Sequence, residues 1–225
     1  MSVRLRVLTY NVHGQRDDTR ALAAVVREVE PDVVIVQEAP RRFAWRHRCA
    51  ALADSFGLVV AAGGLPALGN LLLTSLRVRV HDTWCLRYPL TPGRHLRGAV
   101  FASGSVDRAR FVVTGSHLAT DPVERPGQAR VWKDAMARVE PVLIAGADLN
   151  EEPGGASWGI VADGLTDAGA LAGPTFPATA ARARIDAVFV DPRIVVSHCA
   201  VVDTPVARRA SDHLPVLTDL LLPPG

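Results

Sequence analysis

Eight polar residues stand where apolar runs stop: Asn11, Glu38, His117, Asp148, Asn150, Asp186, Asp212 and His213. The clearest case is PVLIAGADLNEEP, Pro141 to Pro153, where a continuous apolar run breaks at Asp148 and Asn150. Two residues apart in an extended segment, a carboxylate and an amide point to the same side and can address one substrate atom together. Glu38 with a second carboxylate or amide offers oxygen donors for a hard divalent cation. Magnesium is favoured over zinc, because no Cys or clustered His competes. A His beside an Asp can serve as general base or acid, the carboxylate fixing its tautomer and raising its basicity. A second His and an Asn can stabilise charge developing on a phosphoryl oxygen.

These side chains need a frame that brings strand ends together. Leu5, Val7 and Thr9 alternate along a strand that ends at Asn11. A helix follows, capped at Asp18 or Thr19, with Leu22, Val25, Val26 and Val29 on one stripe and Pro31 at its end. Val33 to Val36 is then a second, buried strand whose end carries Gln37 and Glu38. The same unit returns later. Phe111 to Ser116 leads to His117, a helix covers about 123–139, and the strand from Val142 leads to Asp148. This repeat of architecture predicts two halves packed face to face with both sets of strand ends at one rim, and therefore one site. It pairs Asn11 with His117 and Glu38 with Asp148.

Between the two units, a helix is expected from Pro40 to Gly57. Trp45, Cys49, Leu52 and Phe56 form its inner stripe; Arg41, Arg42, Arg46 and Arg48 could reach a phosphate near Glu38, but a charge run beside an apolar stripe reads first as a solvated face. Short strands follow at 58–62, 70–74, 76–81 and 97–103, and their close succession implies antiparallel pairing. After Asp148, Glu151 and Glu152 read as plain loop carboxylates. A short helix is expected at 157–162, strands at 184–190, 194–202 and 214–222, and a mobile loop at 203–210.

Composition sets the limits. A chain of 225 residues can bury about 70% of its unfolded surface in one core, so 1–225 reads as one domain. No apolar run approaches the ~18 residues of a membrane span, and MSVRLRVLTYNVHG lacks the layout of a secretory signal, so a cytoplasmic location is expected. Cys49, Cys85 and Cys199 are odd in number and far apart, which excludes a disulfide framework and a zinc knuckle. A net charge of +2 is too weak a bias to imply nucleic acid by itself. Lys133 is the only lysine among the 25 basic residues; the others are arginines, whose guanidinium fork suits phosphate oxygens. Nothing in the residues sets an oligomeric state.

TYNVHG at 9–14, VQE at 36–38, SHL at 116–118, GADLN at 146–150, RIDAVF at 184–189 and SDHLP at 211–215 resemble, in order and spacing, the motifs of the endonuclease/exonuclease/phosphatase superfamily. The resemblance covers essentially the whole chain. It implies a four-layer α/β/β/α sandwich of two mixed, largely antiparallel sheets with pseudo-twofold halves, and hydrolysis of phosphoester bonds with magnesium or manganese. By the same resemblance Glu38 is the principal metal ligand, with Asn11 and Asp212 at the metal or reaching it through water. His213, oriented by Asp186, is the base or the phosphate-stabilising histidine. Asp148 and Asn150 align the attacking water, and His117 protonates the leaving group or stabilises the transition state. The resemblance leaves open whether His213 or Asp148 takes the proton of the water. Arg97 in LRGAV is similar to a phosphate-contacting arginine of nuclease members. His13 departs from the acidic residue of several nucleases, and Ala147 separates a Gly and an Asp that are usually adjacent.

The expected function is therefore a magnesium-dependent phosphoesterase, with phosphodiesterase or nuclease action slightly preferred and a phosphoester, including nucleic acid, as partner. The runner-up is a phosphatase or phosphodiesterase of a small metabolite: an inositol phosphate, a nucleotide or a lipid headgroup. The short loops carry no basic, aromatic-interleaved insertion to grip a duplex. A catalytically silent binding module on the same scaffold ranks third.

Overall fold

The computed structural model describes residues 2–224, and among these the apolar runs form two six-stranded sheets flanked by helices. In chain order the elements are β1 (Val3–Asn11), a 3-10 turn (His13–Gln15), α1 (Thr19–Val29), β2 (Val33–Gln37), α2 (Trp45–Phe56), β3 (Val59–Gly64) and β4 (Asn70–Thr74). Then come β5 (Arg79–Arg87), β6 (Gly98–Val106), β7 (Ala109–His117), α3 (Arg125–Met136), β8 (Val142–Asp148), α4 (Ala156–Ala162) and β9 (Thr166–Asp167). The last are β10 (Asp186–Val190), β11 (Val195–Val201), α5 (Ala207–Ala210) and β12 (Val216–Leu222).

The first sheet runs β11-β12-β1-β2-β4-β3 and the second β5-β6-β7-β8-β10-β9. Each holds one central parallel pair, β1 with β2 and β7 with β8, inside otherwise antiparallel neighbours. The crossover helices α1 and α3 return the chain to start the second strand of each pair, as parallel pairing requires. Asp18 fixes the start of α1, its carboxylate accepting from the backbone N–H of Arg20 and Ala21. The repeat is real, but its register is one residue off the expectation. Asn11 lies opposite Gln37, and His117 opposite Asp148, so Gln37 is the counterpart of Asp148 and Glu38 stands one residue beyond.

Three apolar clusters fill the layers. One lies between the sheets, around Leu5, Ile35, Leu72, Phe111, Ile144 and Val188. A second joins the first sheet to α1, α2 and α5, and a third joins the second sheet to α3 and α4. The sheets come closest where Ile35 of β2 meets Gly115 and Gly146, which are register partners on β7 and β8. A Cβ added at Gly115 would lie 2.4 Å from Ile35 Cγ2, and one at Gly146 would lie 2.5 Å from Ile35 Cδ1. In the GADLN stretch, Gly146 therefore faces the other sheet, while Ala147 is buried in the cluster beneath α3 and α4.

Three expectations change. Residues 203–210 are not simply a loop: they include α5, whose Ala207 and Ala210 are buried against the first sheet's helical layer. The helix expected from Pro40 begins at Trp45, after a left-handed Ala44, so 40–44 is a connecting loop. The strand expected at 76–81 is β5, shifted to Arg79–Arg87, and Leu76 is 89% exposed in the turn before it.

Far from the rim, Asp219 on β12 accepts from Arg6 Nε at 2.8 Å, Arg6 Nη2 at 3.1 Å and Arg4 Nη2 at 3.0 Å. Its carboxyl is held below the usual value, chiefly by the Arg6 hydrogen bonds, against an opposing effect of burial. A depressed folded value means that this stabilisation is full above the unfolded carboxyl value of 3.8 and is lost as the pH falls through the folded one. Asp219→Asn is expected to lower the denaturant midpoint clearly at pH 7 and much less at pH 2.5. Equal losses at both pH values would remove the electrostatic explanation.

Candidate active site

The strand ends gather a buried polar network at one rim. Asn11, His117, Asp148, Asp186 and His213 are each at most 5% exposed, and β1, β7, β8, β10 and the segment before β12 deliver them there. His213 Nδ1 and Asp186 Oδ2 are 2.8 Å apart, so the ring donates to the carboxylate and directs Nε2 toward Asp148 Oδ2, 3.8 Å away. Asp186 is seated in turn by Thr175, whose hydroxyl accepts from the Ile185 and Asp186 backbone N–H groups. Phe176 packs on the His213 ring with centroids 4.8 Å apart. Burial works to lower the His213 pKa, but the charge and hydrogen bond of Asp186, then Asp148 and Asp212, overcome it and raise it to about 10.

Asp148 is the hub. Its Oδ1 accepts from the Asn150 backbone N–H at 3.0 Å, and Oδ2 accepts from Asn11 Nδ2 at 2.9 Å. Asn11 Oδ1 accepts from the His13 backbone N–H, which fixes the orientation of that amide. His117 is held by Arg97, whose Nη1 donates to Nδ1 at 2.9 Å. A guanidinium only donates, so Nδ1 is the accepting nitrogen and Nε2 carries the proton toward Asp148 Oδ2 at 3.2 Å. Burial lowers the His117 pKa to about 3, which keeps this ring neutral. The Asn150 amide nitrogen lies 3.0 Å from His117 Nε2 and donates to the Leu118 carbonyl at 3.0 Å. His117 thus has both nitrogens engaged within the protein.

Glu38 and Asp212 stand apart from this hub. Glu38 is half-buried, adopts a left-handed φ of 56°, and lines a cleft of about 430 Å³ together with His117, Arg97, Arg41, Arg42 and Arg48. His13 and Asn150 are left-handed too, at φ 46° and 50°. Three exits from parallel strands thus hold side chains in a conformation that costs free energy and persists only where the surroundings impose it. Asp212 is half-exposed, and its Oδ2 lies 3.7 Å from His13 Nε2. The arginines of 41–48, expected on a solvated face, line the cleft in three of four cases; Arg46 instead lies over the Trp45 ring.

Among the described residues one group brings three potential metal-ligating side chains within 4.8 Å: Asp148, Asp186 and His213. Its two carboxylates offer the oxygen donors that a hard divalent cation takes, whereas His213, held in its charged form by Asp186 and Asp148, offers no free lone pair. Asp186 keeps Oδ1 buried with no hydrogen-bond partner, and Glu38, surrounded by arginines, forms no ion pair among the described residues. Free carboxylate oxygen of this kind is what such a cation binds.

Some contributors carried no recognisable signal in the sequence. Glu151 accepts from Arg125 Nη1 at 3.1 Å and from the Trp158 backbone N–H at 2.8 Å, so it ties the loop after β8 to α3 and α4. Arg125 also donates to the Ala119 and Thr120 carbonyls, bracing the turn after His117. Phe176 and Thr175 sit in a Pro- and Ala-rich loop that offered no periodicity to read. The Ser211 hydroxyl of SDHLP donates to the Asn11 carbonyl at 2.7 Å, joining two of the motifs directly.

A buried Asp/His network thus lies at the common rim of a two-sheet sandwich. The sequence pattern of the Endonuclease/Exonuclease/phosphatase family matches residues 8–213, and the chain belongs to that family. Its fold is similar to that of an endonuclease/exonuclease/phosphatase family protein from Bacteroides thetaiotaomicron, with a TM-score of 0.83, 18% identity and coverage of 99% of each chain. It is also similar to the mannosyl-6-phosphatase Bt3783 of the same organism, with a TM-score of 0.80, 18% identity and coverage of 96% of this chain and 99% of that one. D. rerio TDP2 complexed with single strand DNA product matches with a TM-score of 0.78, 19% identity and coverage of 96% and 98%. At these identities the likeness shows the fold. Comparison with curated proteins finds no match. No helix among the described residues is long and apolar enough to cross a membrane.

Proposed function

We propose that the protein hydrolyses phosphoester bonds with the help of magnesium or manganese, acting on a small or terminal phosphate ester that enters the cleft end-on. The observation that carries this reading is the junction of cleft and network: Glu38 and His117 line the cleft, and His117 contacts Asp148. A volume of about 430 Å³ falls within the roughly 300–1,000 Å³ of small-molecule clefts.

In-line attack on phosphorus needs a positioned water, neutralised phosphoryl charge and help for the leaving oxygen. Asp148 and Asn150 align the water. His213, held by Asp186 and Phe176, faces Asp148 at 3.8 Å, too long for a hydrogen bond. His117 and Asn11 position Asp148 rather than deliver protons. Arg97 contributes a fixed cation beside the cleft. Glu38, with Asn11 and Asp212 on the adjoining strand ends, would hold the divalent cation, which when bound supplies positive charge against the phosphoryl oxygens.

Phosphodiester cleavage of nucleic acid is the second reading, favoured by the arginines around the cleft and by the DNA-bound D. rerio TDP2 among the structures of similar fold. The monoester reading draws likewise on Bt3783. A panel of generic phosphomonoester, generic phosphodiester, inositol phosphates, plasmid DNA and RNA, each with magnesium, manganese or chelator, separates them. Turnover of small esters that chelator abolishes and added salt weakens little is the expected result. Plasmid or strand cleavage that falls steeply with salt would favour the nuclease. No turnover under any condition would leave the binding module.

A further inference from the structure

We infer that the outer wall of the cleft is a second phosphate subsite, and that the substrate of the proposed hydrolysis is a small sugar or polyol bearing two phosphates. One phosphate would lie beside Glu38, Arg97 and His117, the other among Arg16, Arg41, Arg42 and Arg48. The inference deepens the phosphoesterase reading and rests on it for the fate of the first phosphate.

Five arginines and one carboxylate line this cleft. None of the five has a carboxylate partner among the described residues, whereas about half of the arginines outside the cleft do, as in Arg6–Asp219, Arg125–Glu151 and Arg184–Asp167. Like charges gathered in one concavity repel one another and raise the local concentration of anions. The Arg97 Nε–H is buried with no hydrogen-bond partner, a donor left open within the site.

The arginines converge from three parts of the chain. Arg16 follows the exit of β1, Arg41 and Arg42 lie in the loop after β2, and Arg48 lies in α2; Arg41 is half-buried and the other three are exposed. Arg41 is pinned by donation from Nη1 to the Leu68 carbonyl at 2.9 Å and to the Leu96 carbonyl at 3.4 Å, which leaves Nε and Nη2 for a ligand. It lies across Gly69, where an added Cβ would come within 3.3 Å of Arg41 Cδ. Gly69 is left-handed at φ 99°, and its carbonyl accepts from the Ala39 N–H, so the same glycine ties the β3–β4 connection to the loop after Glu38.

Two phosphates match this wall better than one. A guanidinium binds phosphate through a two-pronged fork, and the three free oxygens of one ester cannot serve five forks. The cleft also lacks a stacking platform: no Phe, Tyr or Trp lines it, and Phe43, 94% exposed on the same loop, is outside the lining. Single-stranded nucleic acid is gripped through such rings. The wall thus favours a compact polyanion over a strand.

The test is equilibrium binding in chelator, so that no turnover intervenes, with fructose 1,6-bisphosphate, fructose 6-phosphate and a short single-stranded oligonucleotide as probes. The bisphosphate is expected to bind about tenfold or more tightly than the monophosphate. Arg42→Gln with Arg48→Gln should erase that ratio. Arg27→Gln with Arg138→Gln, both exposed and outside the cleft, makes the same change in net charge and should preserve it. Equal affinities for the two sugars, equal losses in both double variants, or an oligonucleotide that outcompetes the bisphosphate would each overturn the inference. The two readings fail separately. Selective bisphosphate binding without cleavage of any ester removes the catalysis and keeps the subsite, whereas cleavage without a second-phosphate preference does the reverse.

Discussion

Replacing His213 by Ala is expected to lower kcat on the order of a hundredfold or more on whichever phosphoester the protein turns over best. The size follows from what the ring does. It is the group that spans from the Asp186 carboxylate toward Asp148, and no other side chain described at the rim is hydrogen-bonded to that carboxylate. Truncation leaves both Asp186 oxygens buried and unpartnered, since Oδ1 already is, so the variant should also lose about 1–3 kcal/mol of stability. Asp186→Asn separates the two effects. It keeps a side chain of the same shape beside the ring and removes the charge, so it should fall between wild type and His213→Ala in rate. Steady-state kinetics checked against near-UV circular dichroism would measure this. Full activity in a folded His213→Ala protein would refute the assigned mechanism.

The second large effect is on the fold. Gly146→Val is expected to cost about 3 kcal/mol or more, with the melting temperature lower by roughly 6–12 °C. The new Cβ would sit 2.5 Å from Ile35 Cδ1 and 3.2 Å from Thr9 Cβ, in a region where Ile35 is fully buried. Neither sheet can yield without spreading the strands that carry Asn11 and Asp148. Ile35→Ala removes the obstructing atoms, so the double variant should lose less than the sum of the single losses. Strict additivity, or a Gly146→Val melting temperature within 2 °C of wild type, would show that the sheets accommodate the side chain elsewhere.

The halves could be read from the chain because both parallel pairs repeat one hydrophobic pattern, strand then amphipathic helix then buried strand, before a polar stop. Register could not. A continuous run such as VVIVQE does not say where pairing ends, and only the ladder from Asn11 to Gln37 shows that Glu38 lies past it. The arginines of 41–48 are solvated as the helical pattern expects, apart from the half-buried Arg41, and what the pattern does not show is that three of them rim a cleft. The left-handed Ala44 delays the helix, and Arg41 in the loop before it reaches the Leu68 carbonyl of the β3–β4 connection. Glu151 was passed over because its partners, Arg125 and Trp158, are brought to it by tertiary packing alone. Of the polar residues at strand ends, the buried ones came together as one network, while the Glu38 and Asp212 carboxylates remain beside it.

The two sheets differ in how far apart along the chain their paired strands lie. β5 to β10 follow one another between Arg79 and Val190, so the second sheet is built from one uninterrupted span. The first sheet is not. β1 pairs with β12, Val3 opposite Leu222, and that ladder cannot form until nearly the whole length separating them has been gathered in. Contacts between such distant segments form slowly, since the loop entropy is lost before the pairing is gained. Asp148 and His117 belong to the second sheet, whereas Asn11 and His213 depend on that ladder. Partly folded chains with a complete second sheet would therefore have no assembled network, and activity would report the final closure rather than the collapse that precedes it.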